Sequence, residues 1–258
     1  MTHEGSGFDG RTALVTGAGR GIGRAVARRL AERGAHVVLV ARTTADLERV
    51  AEELGPTRTT VLPMDVGKAS SVTEALGRLE RRVDILVSNA GLAASLPFER
   101  TDDAVFEELM AVNALGAFRL CRALIPRMIE ADYGRVVLVA SNAGLAGYAY
   151  SSAYCASKHA LLGMMRAVAL EIARTPVTLN AVCPGWVETE MADRAIARIA
   201  ETTGRSPEQA RRTLENMSPK RRMVEPDEVA HLVVCLCAEA ARGIHGQAVA
   251  LDGGQTMR

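Results

Sequence analysis

What most constrains the fold is an alternation that runs the length of the chain. Short, almost continuously apolar β-rich runs are each followed by a longer stretch of helical period. The β-rich runs lie at 12–16, 36–41, 59–64, 84–88, 135–140, 177–182 and 247–251. Most read as unbroken Val, Leu and Ile rather than in/out alternation, the pattern of parallel strands covered on both faces. The helical stretches lie at 23–33, 45–54, 70–80, 104–129, 152–174 and 226–239. Strand, helix, strand repeated in this way implies right-handed crossovers. The expectation is an α/β protein whose residues 1–258 form a single domain, a Rossmann-type doubly wound parallel sheet of about seven strands with helices on both faces. One interruption, 188–225, carries no strand signal. Ser206-Pro207-Glu208-Gln209 marks a helix start inside it, and an excursion of this length at a sheet edge reads as a substrate lid.

Charge and cysteine usage exclude several classes. The net charge is +1, which offers no bulk field for nucleic acid or an anionic membrane. No signal-peptide pattern opens the chain, and no apolar run approaches a bilayer span. The five cysteines form no CxxC pair and are odd in number, so neither a metal site nor a disulfide framework is expected. These features predict a cytoplasmic protein.

Directly after the first strand, Thr16-Gly17-Ala18-Gly19-Arg20-Gly21-Ile22-Gly23 runs into a helix. Glycines there let the backbone approach a pyrophosphate, whose charge rests on the free N–H groups of the helix start. The spacing is TGxxxGxG rather than GxGxxG; away from such a sheet it would be only a turn. An NAD site places an acidic residue near the end of the second strand to hold the ribose 2′-hydroxyl. Here that strand ends Ala41-Arg42-Thr43, with no carboxylate before Asp46. Arg42 and Arg20 fit a 2′-phosphate instead, unless both are simply solvated. NADP(H) is favoured over NAD(H).

Tyr154 and Lys158 stand four apart and share one face of a predicted helix. A phenol with an ordinary pKa near 10 is a weak acid–base group, and a neighbouring ammonium is expected to lower it. YxxxK alone is weak. It gains weight from Ser141, placed just past the fifth strand, where open α/β sheets bind ligands.

With these residues in place, the chain resembles the short-chain dehydrogenase/reductase family from Gly10 to Gly254. Residues 16–23 resemble its cofactor loop, Asp65-Val66 its adenine-contacting pair, and Ser88-Asn89-Ala90-Gly91 its fourth-strand motif. In that motif Ser88 replaces the usual first asparagine. Asn113, Ser141, Tyr154 and Lys158 match the catalytic tetrad. Cys183-Pro184-Gly185 with Val187 and Thr189 resembles the nicotinamide-side loop, and 251–254 the closing strand. The resemblance implies Tyr154 as general acid/base, Lys158 on the nicotinamide ribose lowering the tyrosine's pKa, and Ser141 orienting the carbonyl. It implies that Asn113 supports a water that links the lysine to solvent.

The chain has nine aromatic residues, yet Tyr148, Tyr150, Tyr154 and Trp186 fall within a short span. The family architecture would set them around the nicotinamide, suiting an apolar or ring-containing ketone, unless Tyr148 and Trp186 pack under the lid. By eye the relatives are β-ketoacyl reductases and aromatic polyketide ketoreductases. The ketone is therefore expected free or as a carrier-protein or coenzyme A thioester, with Arg119, Arg122 and Arg127 as a basic docking surface. Alternatives are an NAD-dependent alcohol or hydroxyacyl dehydrogenase running toward the ketone, and a non-catalytic dinucleotide-binding regulator. The helix at 152–174 carries apolar residues over more than one stripe, and the family pattern adds a second interface, which together predict a homotetramer.

Overall fold

The computed structural model describes residues 7–257. Seven parallel strands form one sheet in the order β3-β2-β1-β4-β5-β6-β7. They are β1 (Thr12–Thr16), β2 (His36–Ala41), β3 (Thr59–Pro63), β4 (Ile85–Ser88), β5 (Gly134–Val139), β6 (Val177–Pro184) and β7 (Ala248–Leu251). The apolar runs are explained by two-sided burial. Leu14, Val38 and Val40 face one core with α3 (Ala69–Gly77), α5 (Gly116–Glu130) and α6 (Ser152–Ile172). Their neighbours Val15, Val37 and Leu39 face the other, with α1 (Gly21–Glu32), α2 (Thr44–Leu54) and α9 (Pro226–Cys237). Winding reverses between β1 and β4, which lie side by side, so a crevice opens at their carboxyl ends.

The helix expected at 104–129 is two helices joined by a π turn. α4 (Asp103–Met110) runs through the turn Ala111–Leu115 into α5, and a π turn inserted into a helix commonly marks a functional site. The whole run Asp103–Glu130 has the length and hydropathy of a membrane span, so the sequence estimate of apolar runs was too low. Half of its most apolar window is buried inside the protein, as for a core helix.

One further expectation is corrected. On α6, Leu161, Leu162, Met165, Ala169 and Ile172 are buried in the chain's own core and Met164 and Val168 pack against it, leaving Leu170 exposed. That helix therefore offers little apolar surface to a second copy. The apolar side chains of segment 188–225 close on each other. α7 (Glu190–Thr203) and α8 (Pro207–Glu215) enclose Ala192, Ile196, Ala210 and Leu214 with Met223. Ser206 and Gln209 form the capping box that starts α8. The segment leaves and re-enters at one place, because Glu188 N–H donates to Val224 O (2.9 Å) and Val224 N–H to Trp186 O (2.8 Å).

Candidate active site

The cradle is built by backbone approach. Gly23 opens α1 so close to the preceding loop that a Cβ there would stand 2.1 Å from Gly17 O. Gly17 has φ +66°, and a Cβ on it would meet the Asn89 amide at 2.7 Å. Gly21, at φ +51°, lies against Thr189 of segment 188–225. Only glycine fits these positions, and the chain is thereby held open at the start of α1, as a pyrophosphate site requires. Asn89 donates to Thr16 O (2.9 Å), and Thr16 Oγ1 accepts from Asn89 N and Ala90 N (2.9 Å each). These bonds tie the ends of β1 and β4 together beside the crevice. Asp65 closes its own turn, accepting from Gly67 N–H (3.0 Å), and Val66 is buried.

The two arginines separate. Arg42 is exposed past the end of β2 and, among the described residues, makes no hydrogen bond or ion pair. Arg20 is instead engaged, with Nη1 2.6 Å from Glu190 Oε2 in the first turn of α7. Arg20 thereby joins the cradle to segment 188–225 through an exposed ion pair. Thr43 caps α2 without a side-chain bond.

Ser141, Tyr154, Lys158 and Asn113 come from three elements: the end of β5, α6 and the π turn. Ser141 follows β5 and accepts from Ala143 N–H (3.1 Å); its hydroxyl stands near enough to the Tyr154 phenol to act on that group's pKa. Lys158, one turn along α6, is buried and donates Nζ–H to Val139 O (3.1 Å). Its other two N–H groups are available to a ligand. Burial lowers its pKa from 10.5 to about 8. Burial raises that of Tyr154 above its ordinary value, against the nearby Ser141 hydroxyl, which lowers it. The expected depression of the tyrosine by the lysine is thus not what this geometry gives. Lys158 Nζ lies 5.8 Å from the ring centroid, and desolvation outweighs it.

Asn113, in the π turn, spends its amide on protein. Nδ2 donates to Leu92 O (2.9 Å) and Ser157 Oγ (3.0 Å), and Oδ1 accepts from Leu92 N–H (2.8 Å). Ser157 in turn donates to Tyr154 O (2.8 Å). Asn113 therefore braces the β4 loop against the turn of α6 that carries the tyrosine. A Cβ at Gly91 would stand 3.2 Å from Asn113 Oδ1 and 3.6 Å from Lys158 Nζ, so the fourth-strand motif borders the same site.

The aromatics divide. Tyr148 lines a cavity of about 610 Å³ with Asn216, Met217 and Gln255. Trp186 packs against the small cluster of segment 188–225. Tyr150 is 66% exposed with φ +62°, so it is a surface residue rather than a pocket wall. Arg119, expected on a docking surface, donates to Val66 O and Gly67 O instead. Pro184 and Val187 are buried; the Gly185 backbone N–H donates to Leu251 O at 3.1 Å. Ile22 packs against the core beside the cradle. No cluster of metal-ligating side chains occurs among the described residues.

The short chain dehydrogenase family pattern matches residues 11–199. The chain belongs to the short-chain dehydrogenase family. It is 36% identical to a D-beta-hydroxybutyrate dehydrogenase of Cupriavidus necator over 253 residues, 96% of this chain and 98% of that protein. It is also 36% identical to nodulation protein G of a Rhizobium species over 252 residues, 96% of this chain and 98% of that one. A crystal structure of a variant actinorhodin polyketide ketoreductase with NADPH superposes with TM-score 0.88 at 34% identity, covering 95% of this chain and 97% of that one. As a short-chain dehydrogenase the protein is an oxidoreductase that uses a nicotinamide dinucleotide on small molecules. Residues that sequence reasoning missed are Asn142, Ser157, Glu190 and Gln255. Asn142 and Ser157 adjoin motif residues and were within reach. Gln255 and Glu190 meet their partners across 113 and 170 residues, where no local signal points.

Proposed function

We propose that this short-chain dehydrogenase reduces a ketone of β-ketoacyl or polyketide type to a secondary alcohol with NADPH. The observation that carries the reading is the convergence of Ser141, Tyr154 and Lys158 beside a glycine cradle, with exposed, unpartnered Arg42 where an NAD site would hold a carboxylate. Residues 17–23 would hold the pyrophosphate, Arg42 and the open start of α2 the 2′-phosphate, and Lys158 the nicotinamide ribose. When bound, the reduced nicotinamide supplies a hydride to the carbonyl carbon. Tyr154, kept protonated by its raised pKa, gives its proton to the carbonyl oxygen, while Ser141 orients that oxygen by hydrogen bond. Lys158 is an ammonium below about pH 8, so it favours charge developing on the phenol as the proton leaves.

The polyketide ketoreductase crystallised with NADPH supports the cofactor and direction, and the hydroxybutyrate dehydrogenase supports a three-carbon acyl relation between the oxygens. The latter also keeps open the reverse reaction with NAD, which Ala41-Arg42 disfavours. Exchanging Ala41→Asp together with Arg42→Ala installs a ribose acceptor and removes the phosphate partner. The ratio of kcat/KM for NADPH to that for NADH is expected to fall at least about tenfold, since a charge-assisted contact is worth about 1.5–3 kcal/mol. An unchanged ratio would mean that another group reads the 2′-position. A homotetramer is also proposed, resting on family resemblance and on Phe106, Leu115 and Phe118, apolar side chains left exposed along the α4–α5 run.

A further inference from the structure

The cavity that Tyr148 lines differs in character from the catalytic crevice. Its walls are the loop 145–148, the end of α8 at Asn216 and Met217, and Gln255 and Thr256 of the C-terminal hook. None of these residues is charged. The charge behind the hook is an anion: Asp252, 4% exposed, whose carboxylate accepts from Gly254, Gln255 and Thr256 N–H and from the Thr256 hydroxyl (2.8–3.1 Å). That negative charge and burial hold the Tyr148 phenol above its ordinary pKa, so it stays neutral. Lys220 packs its stem near Gly253 and is exposed, outside the lining.

A line of polar contacts joins this wall to the reacting phenol. Tyr154 lies against Ser141, Ser141 Oγ stands 3.4 Å from Asn142 Oδ1, and Asn142 Nδ2 donates to Gln255 Oε1 (3.0 Å). With its oxygen taken, Gln255 presents Nε2 as a donor that no described residue accepts. A half-buried neutral donor on an uncharged wall suits a neutral acceptor such as a carbonyl. A carboxylate there would find no cation in the lining, and one neutral hydrogen bond makes up little of whatever hydration it gives up.

We propose that this cavity takes the uncharged acyl arm of the substrate, its far carbonyl accepting from Gln255, so that 3-oxoacyl esters and thioesters are substrates and free 3-oxo acids are not. The inference rests on the ketone reduction proposed above and names the form in which the acyl group arrives. Gln255 is thereby a specificity residue.

The test is NADPH-dependent reduction of ethyl acetoacetate, of the N-acetylcysteamine thioester of acetoacetate, of acetoacetate itself, and of cyclohexanone, which lacks an arm. The wild-type enzyme is expected to prefer ester and thioester over acetoacetate by at least about tenfold in kcat/KM. In Gln255→Leu the ratio of ester to cyclohexanone should fall at least about fivefold, the worth of one neutral hydrogen bond. In Gln255→Lys the ratio of acetoacetate to ester should rise at least about tenfold, a gain that misfolding cannot produce. Equal use of acid and ester by the wild type, or ratios within twofold of wild type in both variants, would overturn the inference while leaving ketone reduction standing. No turnover of any of the four, cyclohexanone included, would overturn ketone reduction and this inference with it.

Discussion

Lys158 shows how a single residue trades stability for chemistry. Its ammonium is buried with one protein acceptor, Val139 O, and its pKa falls from 10.5 to about 8. The unfolded chain keeps that proton up to about pH 10.5, whereas the folded chain loses it near 8. Between those values the unfolded state binds more protons, so stability contributed at this residue rises with pH through the window and its full cost is felt below about 8. Lys158→Met should therefore raise unfolding free energy at pH 7 by about 1–3 kcal/mol and abolish turnover, with the gain shrinking at pH 10. Urea denaturation at the two pH values checks this; a variant less stable than wild type at pH 7 would contradict it. Reductase activity should also decline above about pH 8, as the ammonium beside Tyr154 is lost.

At the scale of elements, the π turn between α4 and α5 and the helix α6 are joined by two side chains. Asn113 reaches from the turn to Ser157, and Ser157 holds the carbonyl of Tyr154. Ser157→Ala leaves a buried Asn113 N–H without its partner, which costs about 1–3 kcal/mol, and loosens the turn that aims the phenol. The expected result is a lower kcat with KM for NADPH within about twofold; an unaltered kcat would reduce Ser157 to packing. The strands and main helices were legible because two-sided burial writes itself as apolar runs, as Val37 to Val40 illustrate. The π turn was not, since Asp103–Glu130 keeps a helical period throughout and the break lies in backbone hydrogen bonding. Tyr154, Lys158 and Ser141 were legible through spacing and Asn113 only through the family resemblance, but the partners of Arg20 and Gln255 lie 170 and 113 positions away and are set by how the 188–225 segment and the C-terminal hook fold back.

At the scale of the whole molecule, the crevice at the β1/β4 reversal is roofed on one side by segment 188–225, pinned by Arg20–Glu190 and by the Val187–Val224 bridge. The bridge ties the segment's two ends together, and Val187 and Val224 anchor those ends in the core, whereas the exposed Arg20–Glu190 pair is worth at most about 1 kcal/mol. Phe106, Leu115 and Phe118 of the α4–α5 run are partly exposed. Light scattering coupled to size-exclusion chromatography should give four times the 27.5 kDa chain mass. A Phe118→Glu variant should shift the mass downward. A fully active 27.5 kDa species at nanomolar concentration would contradict the assembly.

The central claim is that Tyr154 delivers the proton while NADPH is consumed by a ketone. Its most direct measurement is NADPH oxidation with ethyl acetoacetate and cyclohexanone by wild type and by Tyr154→Phe, alongside NADPH binding by fluorescence titration. The account predicts turnover by the wild type, and in the variant NADPH affinity within about threefold of wild type with kcat lower by about 10²–10⁴. A Tyr154→Phe enzyme that binds NADPH and keeps more than about a tenth of wild-type turnover would contradict it.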